Sequence, residues 1–280
     1  MLLTSRYVIP VSSVFDTYIE YGAVLVEGDR IVEVGPASDL MARHPGEEVR
    51  DFGMAAIMPG FVDCHSHVLP GVDDGARDIA KSRAILSLME EQGVERLWLT
   101  PHIMEDIPNE PEDLKRRFEE FKSAYSGNIE LRLAAEHNID MLFSERLEKD
   151  KLLPFNESRI LVETSYYNPP MGLYGFLSDL EQKGFIPVLA HPERYVYMDI
   201  NDYRKLKERG VLFQLNLASV VGSYGETAKK KALKFLDMGL YDHIGTDCHR
   251  SSHLRSILDS SVECKLVDRL FPLVENNRSL

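Results

Sequence analysis

His65, His67, His102, Glu136, Glu163, His191 and the pair Asp247/His249 each follow a short apolar run, and Asp74 comes shortly after the first pair. Imidazole and carboxylate donors without a thiolate suit Mn²⁺, Fe²⁺ or Zn²⁺, and together they describe a multinuclear metal site. His65-Ser66-His67 follows Phe61-Val62-Asp63, and alternate residues of an extended strand share one face, so both imidazoles can reach one ion. Taken alone, this H-x-H is either a metal pair or a hydrogen-bonded core pair. The remaining positions add weight to the first reading. His102 follows Trp98-Leu99-Thr100-Pro101, Glu136 follows Leu133-Ala134-Ala135, Glu163 follows Ile160-Leu161-Val162, and His191 follows Val188-Leu189-Ala190. A carboxylate at such a place is costly to bury without a counter-charge, and divalent ions supply one. Asp247-Cys248-His249 repeats the alternating geometry. Other roles stay open for single members: Asp73 or Asp74 could cap a helix starting near Asp78, His102 could be a turn residue after Pro101, and Glu163 could hold a strand-end amide.

These residues need strands to place them. Apolar runs at 60–63, 94–99, 129–134, 159–162, 186–190, 211–217 and 243–246 predict seven strands. Helical stretches fall between them. One has Ile85, Leu86, Leu88 and Met89 on one face and stops at Gly93; a later one has Ala228, Ala232, Leu233, Phe235 and Leu236 before Gly239. Alternating β and α units imply an α/β protein with parallel strands. Right-handed crossovers would curl seven such strands into a TIM-like (β/α)7 barrel, one unit short of the usual eight, and gather the strand ends into one cup. The character changes near Pro59-Gly60. Before it, Ala23 to Val26 and Ile31 to Val34 read as strands joined by a Gly28-Asp29 turn, followed by a polar helix near Ser38 to Arg43. The expected division is a β-rich extension, residues 1–59, ahead of a catalytic domain, residues 60–280.

Bulk properties narrow the partners. With 44% hydrophobic residues in 280, the chain can form one large α/β domain or an ordinary domain with an appendage. A net charge of −13 argues against nucleic acid as a partner, yet says little about a small phosphoester, because bound cations reverse the local field. Cys64, Cys248 and Cys264 form an odd set without framework spacing, read as reduced thiols of a cytoplasmic protein. None has the C-x5-R spacing of a cysteine phosphatase. The start MLLTSRYVIPVSS lacks a basic segment before a long apolar core, and eighteen apolar residues never run uninterrupted. Neither secretion nor a membrane span is therefore expected, and no tandem repeat of 20 to 50 residues stands out.

His65-Ser66-His67-Val68-Leu69-Pro70-Gly71-Val72-Asp73-Asp74-Gly75, Leu99-Thr100-Pro101-His102, Leu161-Val162-Glu163, Ala190-His191-Pro192-Glu193-Arg194 and Gly245-Thr246-Asp247-Cys248-His249 resemble the bacterial tyrosine phosphatases of the polymerase-and-histidinol-phosphatase (PHP) superfamily, encoded with capsule and exopolysaccharide genes. The resemblance covers roughly residues 60 to 258. It implies a distorted seven-stranded barrel of the PHP fold with three divalent metal ions, usually Mn²⁺, with Fe²⁺ or Zn²⁺ as alternatives. Carried over by position, His65, His67, Glu136 and Asp247 hold the first ion and Glu136, Glu163 and His191 the second, with Glu136 bridging. Asp74, His102 and His249 hold the third. The metals acidify a water for attack and neutralise charge on the phosphoryl group. Arg194 contacts the phosphate through its planar fork, or else serves as a salt-bridge partner. A tyrosine hydroxyl with pKa about 10 is a better leaving group than an alcohol, so less general-acid help is needed. Tyr166, Tyr167, Pro169, Pro170 and Tyr174, with Tyr195 and Tyr197, either wall a slot for a phenyl ring or pack the rim.

The first sixty residues depart from that family. Residues 23–35 and Met58-Pro59-Gly60-Phe61-Val62-Asp63-Cys64-His65-Ser66-His67 look like the N-terminal segment of amidohydrolases, part of a small β-sandwich ahead of the first barrel strand. That sandwich normally takes strands from the C-terminus. Here the 33 residues after Asp247 carry Ile257, Leu258, Val262, Leu266, Val267 and Leu270 at helical spacing. An incomplete sandwich leaves sheet edges to cover, so a homo-oligomer contact is expected there. The leading function is a metal-dependent protein-tyrosine phosphatase acting on the tyrosine-rich tail of a polysaccharide-synthesis kinase. Its alternatives are a small-molecule phosphatase of the histidinol-phosphate kind and an amidohydrolase cleaving a C–N bond.

Overall fold

The β-rich pattern around the first glycine turn becomes an antiparallel pair, β2 (Ile19–Glu27) and β3 (Arg30–Pro36), in a computed structural model that describes residues 1–10, 18–28, 30–58, 60–260 and 264–280. Asp29 of the expected turn, Pro59 at the change of character and Val262 of the C-terminal apolar set lie outside the described residues. The chain divides into two units, Met1–Gly60 and Phe61–Leu280.

In the first unit β1 (Leu2–Val8) pairs antiparallel with β2, and β4 (Val49–Asp51) and β5 (Ala56–Ile57) run parallel to β1. The order is β3-β2-β1-β4, with β5 also on β1. Helix α1 (Ala37–Arg43) buries Leu40 against Leu2, Ala23 and Leu25. Thr4, Ser5 and Arg6 interrupt the apolar alternation of β1, so its sequence carries no clear strand signal.

The second unit alternates strands and helices: β6 (Phe61–Asp63), α2 (Ile79–Glu91), β7 (Val94–Leu99), β8 (His102–Ile103), α3 (Pro111–Ser123), β9 (Glu130–Leu133), β10 (Glu136–Asn138), α4 (Phe143–Glu148), β11 (Arg159–Glu163), α5 (Leu173–Gln182), β12 (Ile186–Ala190), α6 (Ile200–Glu208), β13 (Leu212–Asn216), α7 (Leu217–Val221), α8 (Gly225–Asp237), β14 (His243–Gly245), α9 (Ser251–Leu258) and α10 (Cys264–Asn276). Helix α2 starts at Asp78, whose carboxylate accepts from the Lys81 amide at 2.9 Å, so neither Asp73 nor Asp74 caps it. Its apolar face buries Ile85, Leu86 and Met89, and Gly93 takes φ +77° beyond its end. The strand expected to reach Leu217 ends at Asn216, whose side chain accepts from the Ala218 amide and opens α7.

Every strand pairing in this unit is parallel, but the described strands form two sheets rather than one closed seven-stranded sheet. Their orders are β6-β7-β9 and β14-β13-β12-β11-β10-β8. The break has a local cause. Thr100-Pro101 separates β7 from β8, and proline has no amide hydrogen for a ladder. Beyond it β8 pairs with β10, whereas β7 pairs with β9. Single backbone bonds continue past the ladders: Thr100 N to Ser66 O at 2.7 Å, Ala134 N to Leu99 O at 3.0 Å, Asp247 N to His65 O at 2.8 Å and His67 N to Cys248 O at 3.0 Å. An isolated parallel bridge joins Ser66 and Cys248.

Strands buried on both faces feed several apolar clusters. Ile160, Val162, Leu189, Phe213 and Leu215 pack with Leu177, Leu180, Tyr203, Leu206 and Phe235 of the helices. Cys64, Trp98, Ala134, Leu161, Val188 and Ala190, drawn from both sheets, pack together in another cluster. Cys64 and Cys248 are free and buried; the Cys264 side chain lies outside the described residues. No described helix is long and apolar enough to cross a membrane. Phe213 is fully buried with its ring edge-on to Tyr203, so Phe213→Ala is expected to lower unfolding free energy by about 3–5 kcal/mol. Urea titration of the two proteins measures it, and a change below about 1 kcal/mol would show that the layer collapses around the cavity.

Candidate metal centre

The C-terminal ends of the parallel strands bring the expected residues together. His65 and His67 follow β6, His102 opens β8, Glu136 opens β10, Glu163 ends β11, His191 follows β12, and Asp247 and His249 follow β14. Three sets of donor atoms converge: His65, His67, Glu136 and Asp247; His102, Glu136 and Glu163; and His67, Asp74, His102 and His249. The first is the set expected for one ion. The other two differ from expectation, because His102 stands with Glu136 and Glu163, and His67 joins the Asp74 group. His191 is in none of these sets, but its Nε2 lies 3.0 Å from Glu136 Oε1 and 3.9 Å from Glu163 Oε2.

Glu136 is the hub. Its Oε2 faces His65 Nε2 at 3.2 Å, His67 Nε2 at 3.3 Å and His102 Nδ1 at 3.2 Å. Despite these distances, Glu136 Oε2 and His102 Nδ1 are buried with no aligned hydrogen bond, and His191 Nδ1 is equally without a partner. Crowded carboxylate and imidazole donors of this kind can share a cation, and hard oxygen with imidazole nitrogen is a donor set that divalent cations accept. The residues therefore fit metal binding.

Three of the imidazoles have their tautomer fixed from behind. His65 Nδ1 meets Gln214 Oε1 at 2.9 Å, His67 Nδ1 meets Asp73 Oδ2 at 2.8 Å, and His249 Nδ1 meets the Asp247 carbonyl at 2.9 Å. Each acceptor takes the Nδ1 hydrogen and leaves Nε2 with its lone pair toward the cluster. Glycine lets the chains approach: a Cβ at Gly245 would sit 2.5 Å from His65 Cβ, and one at Gly75 would strike the His67 carbonyl. His191 and Asp247 hold φ of +35° and +51°, uncommon for residues with a Cβ and a form of strain found at functional sites.

Burial grades across the site. His65, His67, Glu136, Glu163, His191 and Asp247 are buried, while His249 is half-buried and Asp74 exposed. The electrostatics report a shortage of positive charge. Burial, then the Glu136 carboxylate, push Glu163 well above the usual carboxylate range. Burial acts against ionised Glu136 too, but His65, His191 and His67 outweigh it and hold Glu136 well below that range. Against the penalty of its own burial, Glu136 and Asp247 raise His65 to about 9. Protons thus balance the carboxylates where cations are absent.

Arg194 reaches the same site. Residues Pro192–Arg194 form a 3₁₀ turn after His191, held by Glu193, which accepts from the Asn216 amide at 3.0 Å and from the Tyr241 hydroxyl at 2.9 Å. Arg194 Nη1 donates to Asp247 Oδ2 at 2.9 Å, and its guanidinium lies 4.3 Å from the Tyr166 ring centroid and 4.0 Å from that of Tyr224. Tyr195 is buried and donates to the Ala190 carbonyl, whereas Tyr167 is exposed.

Several contributors escaped sequence reading. Asp73 is an acceptor for His67 and for the His102 and Gly75 amides. Gln214 and Asn216 are strand-end polar residues at alternate positions, the same signal that marked the histidines, and Asn216 Nδ2 donates to Asp247 Oδ2 at 2.9 Å. Asn138 donates to Glu163 Oε1 at 3.2 Å. Tyr224 lies just before α8 and carries no sequence mark. Asp73→Ala is expected to weaken metal affinity about 10- to 100-fold, with Asp73→Asn, which keeps an acceptor, recovering most of it. Calorimetric titration with Mn²⁺ checks this; equal affinity in all three proteins would remove Asp73 from the role.

Parallel strands whose ends gather imidazoles and carboxylates around a hub glutamate define an α/β protein built to bind divalent cations. The family described as capsular polysaccharide synthesis, CpsB/CapC, matches residues 61–265, and the chain belongs to that family. The tyrosine-protein phosphatase YwqE of Bacillus subtilis is 30% identical over 195 residues, 67% of this chain and 77% of that protein. A crystal structure from work on YwqE of B. subtilis and CpsB of Streptococcus pneumoniae, described as metal-dependent tyrosine phosphatases, superposes with a TM-score of 0.64 at 26% identity, covering 77% of this chain and 94% of the other. The N-terminal unit has a different likeness: residues 22–46 match the imidazolonepropionase-like composite domain of bacteria. A β-aspartyl dipeptidase of Fervidobacterium islandicum shares the fold over 100% of this chain and 87% of its own, at a TM-score of 0.55 and 15% identity.

Proposed function

We infer that this protein is a metal-dependent protein-tyrosine phosphatase. The observation that carries the reading is Glu136 Oε2, ringed by three imidazole nitrogens at 3.2–3.3 Å without an aligned hydrogen bond, in a chain of the CpsB/CapC family. His65, His67, Glu136 and Asp247 would hold one ion, Glu136 and Glu163 with His102 or His191 a second, and Asp74, His102 and His249 a third. Mn²⁺ is the proposed metal, with Fe²⁺ or Zn²⁺ as alternatives. Divalent cations there would supply Lewis acidity toward the phosphoryl group and acidify water.

The chain's own residues do the rest. Asp73, Gln214 and the Asp247 carbonyl hold three imidazoles in one tautomer. Tyr166 and Tyr224 sandwich the Arg194 guanidinium, so its planar fork is pre-set to pair with phosphate oxygens, exchanging part of its bond to Asp247. Supported by an interior cluster drawn from both sheets, the parallel strands are read as a distorted seven-stranded barrel of the PHP type.

The proposed substrate is the phosphotyrosine tail of a cytoplasmic polysaccharide-synthesis kinase. The N-terminal unit is read as an amidohydrolase-like extension supporting a homo-oligomer contact, an idea that would fail if deleting residues 1–58 left solubility and oligomeric state unchanged. Turnover of a phosphotyrosine peptide, histidinol phosphate and a cyclic amide, after chelation and Mn²⁺ addition, tests the function. The phosphotyrosine peptide is expected to be hydrolysed fastest, and no phosphatase activity with any metal would overturn the reading.

A further inference from the structure

We propose that a cavity of about 310 Å³ beside His249, rimmed by Arg77, Lys81 and Arg250, binds a second oxyanion of the substrate peptide, a carboxylate or phosphate flanking the phosphotyrosine. The proposal rests on the phosphatase reading and deepens it. In a chain of net charge −13 about half of the cationic side chains have acidic partners among the described residues, as Arg96 has Glu130 and Arg116 has Asp113 and Glu120. Arg77, Lys81 and Arg250 are exposed, and none forms an ion pair among the described residues. Three unpaired cations around one concavity make a local positive field that the rest of the molecule opposes.

The cavity also begins where the candidate metal cluster ends. His249 lines it, and His249 Nε2 lies 3.4 Å from Asp74 Oδ1 in the exposed part of the cluster. A peptide with its phosphate at the cations lays a neighbouring side chain there. Ser251 and Ser252, at the start of the eight-residue helix α9, complete the wall, and no side chain caps that helix. Its amide ends add to the attraction for an anion. The acid nearest in sequence, Asp78, has its carboxylate on the Lys81 amide. An acidic peptide approaching an acidic protein gains most from such a local complement.

Peptides identical except for one residue flanking phosphotyrosine, either Ala, Glu or phosphoserine, test this with the full chain loaded with Mn²⁺. The expected result is a KM about five- to tenfold lower for the Glu and phosphoserine peptides than for the Ala peptide, a preference that fades in 0.5 M salt. Arg77→Ala with Lys81→Ala should abolish the preference and leave kcat on the Ala peptide unchanged. Lys81→Glu should turn it toward a Lys-flanked peptide. A gain for phosphoserine alone would assign the cavity to phosphate, and a gain for both to any oxyanion. Equal KM values in the unaltered protein, or a preference that survives the double substitution, would overturn the proposal. Anisotropy binding of the same peptides with a non-hydrolysable phosphonate in place of phosphotyrosine separates the two readings. If no peptide is turned over, the phosphatase reading fails, while the binding preference and its loss in the double variant still decide the cavity.

Discussion

Glu136→Gln is expected to cut phosphotyrosine-peptide hydrolysis by about 10³-fold or more and to lower the bound-metal stoichiometry. Lewis-acid stabilisation by a bound cation is worth several kcal/mol, and each 1.4 kcal/mol is about tenfold in rate. The substitution preserves shape and removes one negative charge at the atom that three imidazoles face. An amide offers its carbonyl to one ion but cannot bridge two as a carboxylate does, so both sets that share Glu136 lose a donor. His191 Nε2, 3.0 Å from Glu136 Oε1, loses its anionic neighbour as well. Elemental analysis of the purified variant, with its kcat and KM beside the parent's, gives the answer. Full activity with unchanged metal content would break the proposed centre, because no other residue touches both buried donor sets through one group.

The convergence of candidate donors was legible because metal chemistry demands particular residue types and parallel strands deliver them at recurring places. His65, His67, His102, Glu136, Glu163, His191, Asp247 and His249 carry that signal as the polar residues that follow the apolar runs, and the structure brings them close together. Seven strand positions were recovered within one or two residues for the same reason. What stayed hidden depends on approach between distant segments. The grouping of candidate donors is one case: His102 sits with Glu136 and Glu163 because β8 pairs with β10 after Pro101 breaks the first ladder. No spacing in the sequence encodes that shift. In the sequence Asp73 is ambiguous with a helix cap, whereas in the structure Asp78 takes that role and Asp73 holds His67. Gln214 and Asn216 carried the strand-end signal but fall outside the acids and histidines that a metal search favours. Strand β1 was missed because its pairing with β2, β4 and β5 overrides a mixed polar sequence.

Removing the metal is expected to abolish activity and to lower the melting temperature by about 5–10 °C at near-neutral pH, with a gap that widens as pH rises. A ligand at 100 times its dissociation constant stabilises the folded state by about 2.7 kcal/mol, and each kcal/mol moves the melting point of a domain this size by about 2–4 °C. The pH dependence follows from two buried groups. In the cation-free site Glu163 is pushed up by burial and by Glu136, and His65 is raised to about 9 by Glu136 and Asp247 against its burial. Each binds a proton more tightly folded than unfolded. For His65 this stability is fully present below its unfolded value of about 6.5 and is lost as pH climbs through about 9; raised Glu163 acts with the same sign, weakening the folded state as pH rises above its unfolded value. The metal-loaded protein escapes both losses, since cations hold Glu163 ionised and His65 neutral. Melting curves with Mn²⁺ and with excess chelator at pH 6.5 and pH 8.5 measure the two gaps. A gap that is absent, or that narrows toward pH 8.5, would show that protons and cations do not compete for these groups.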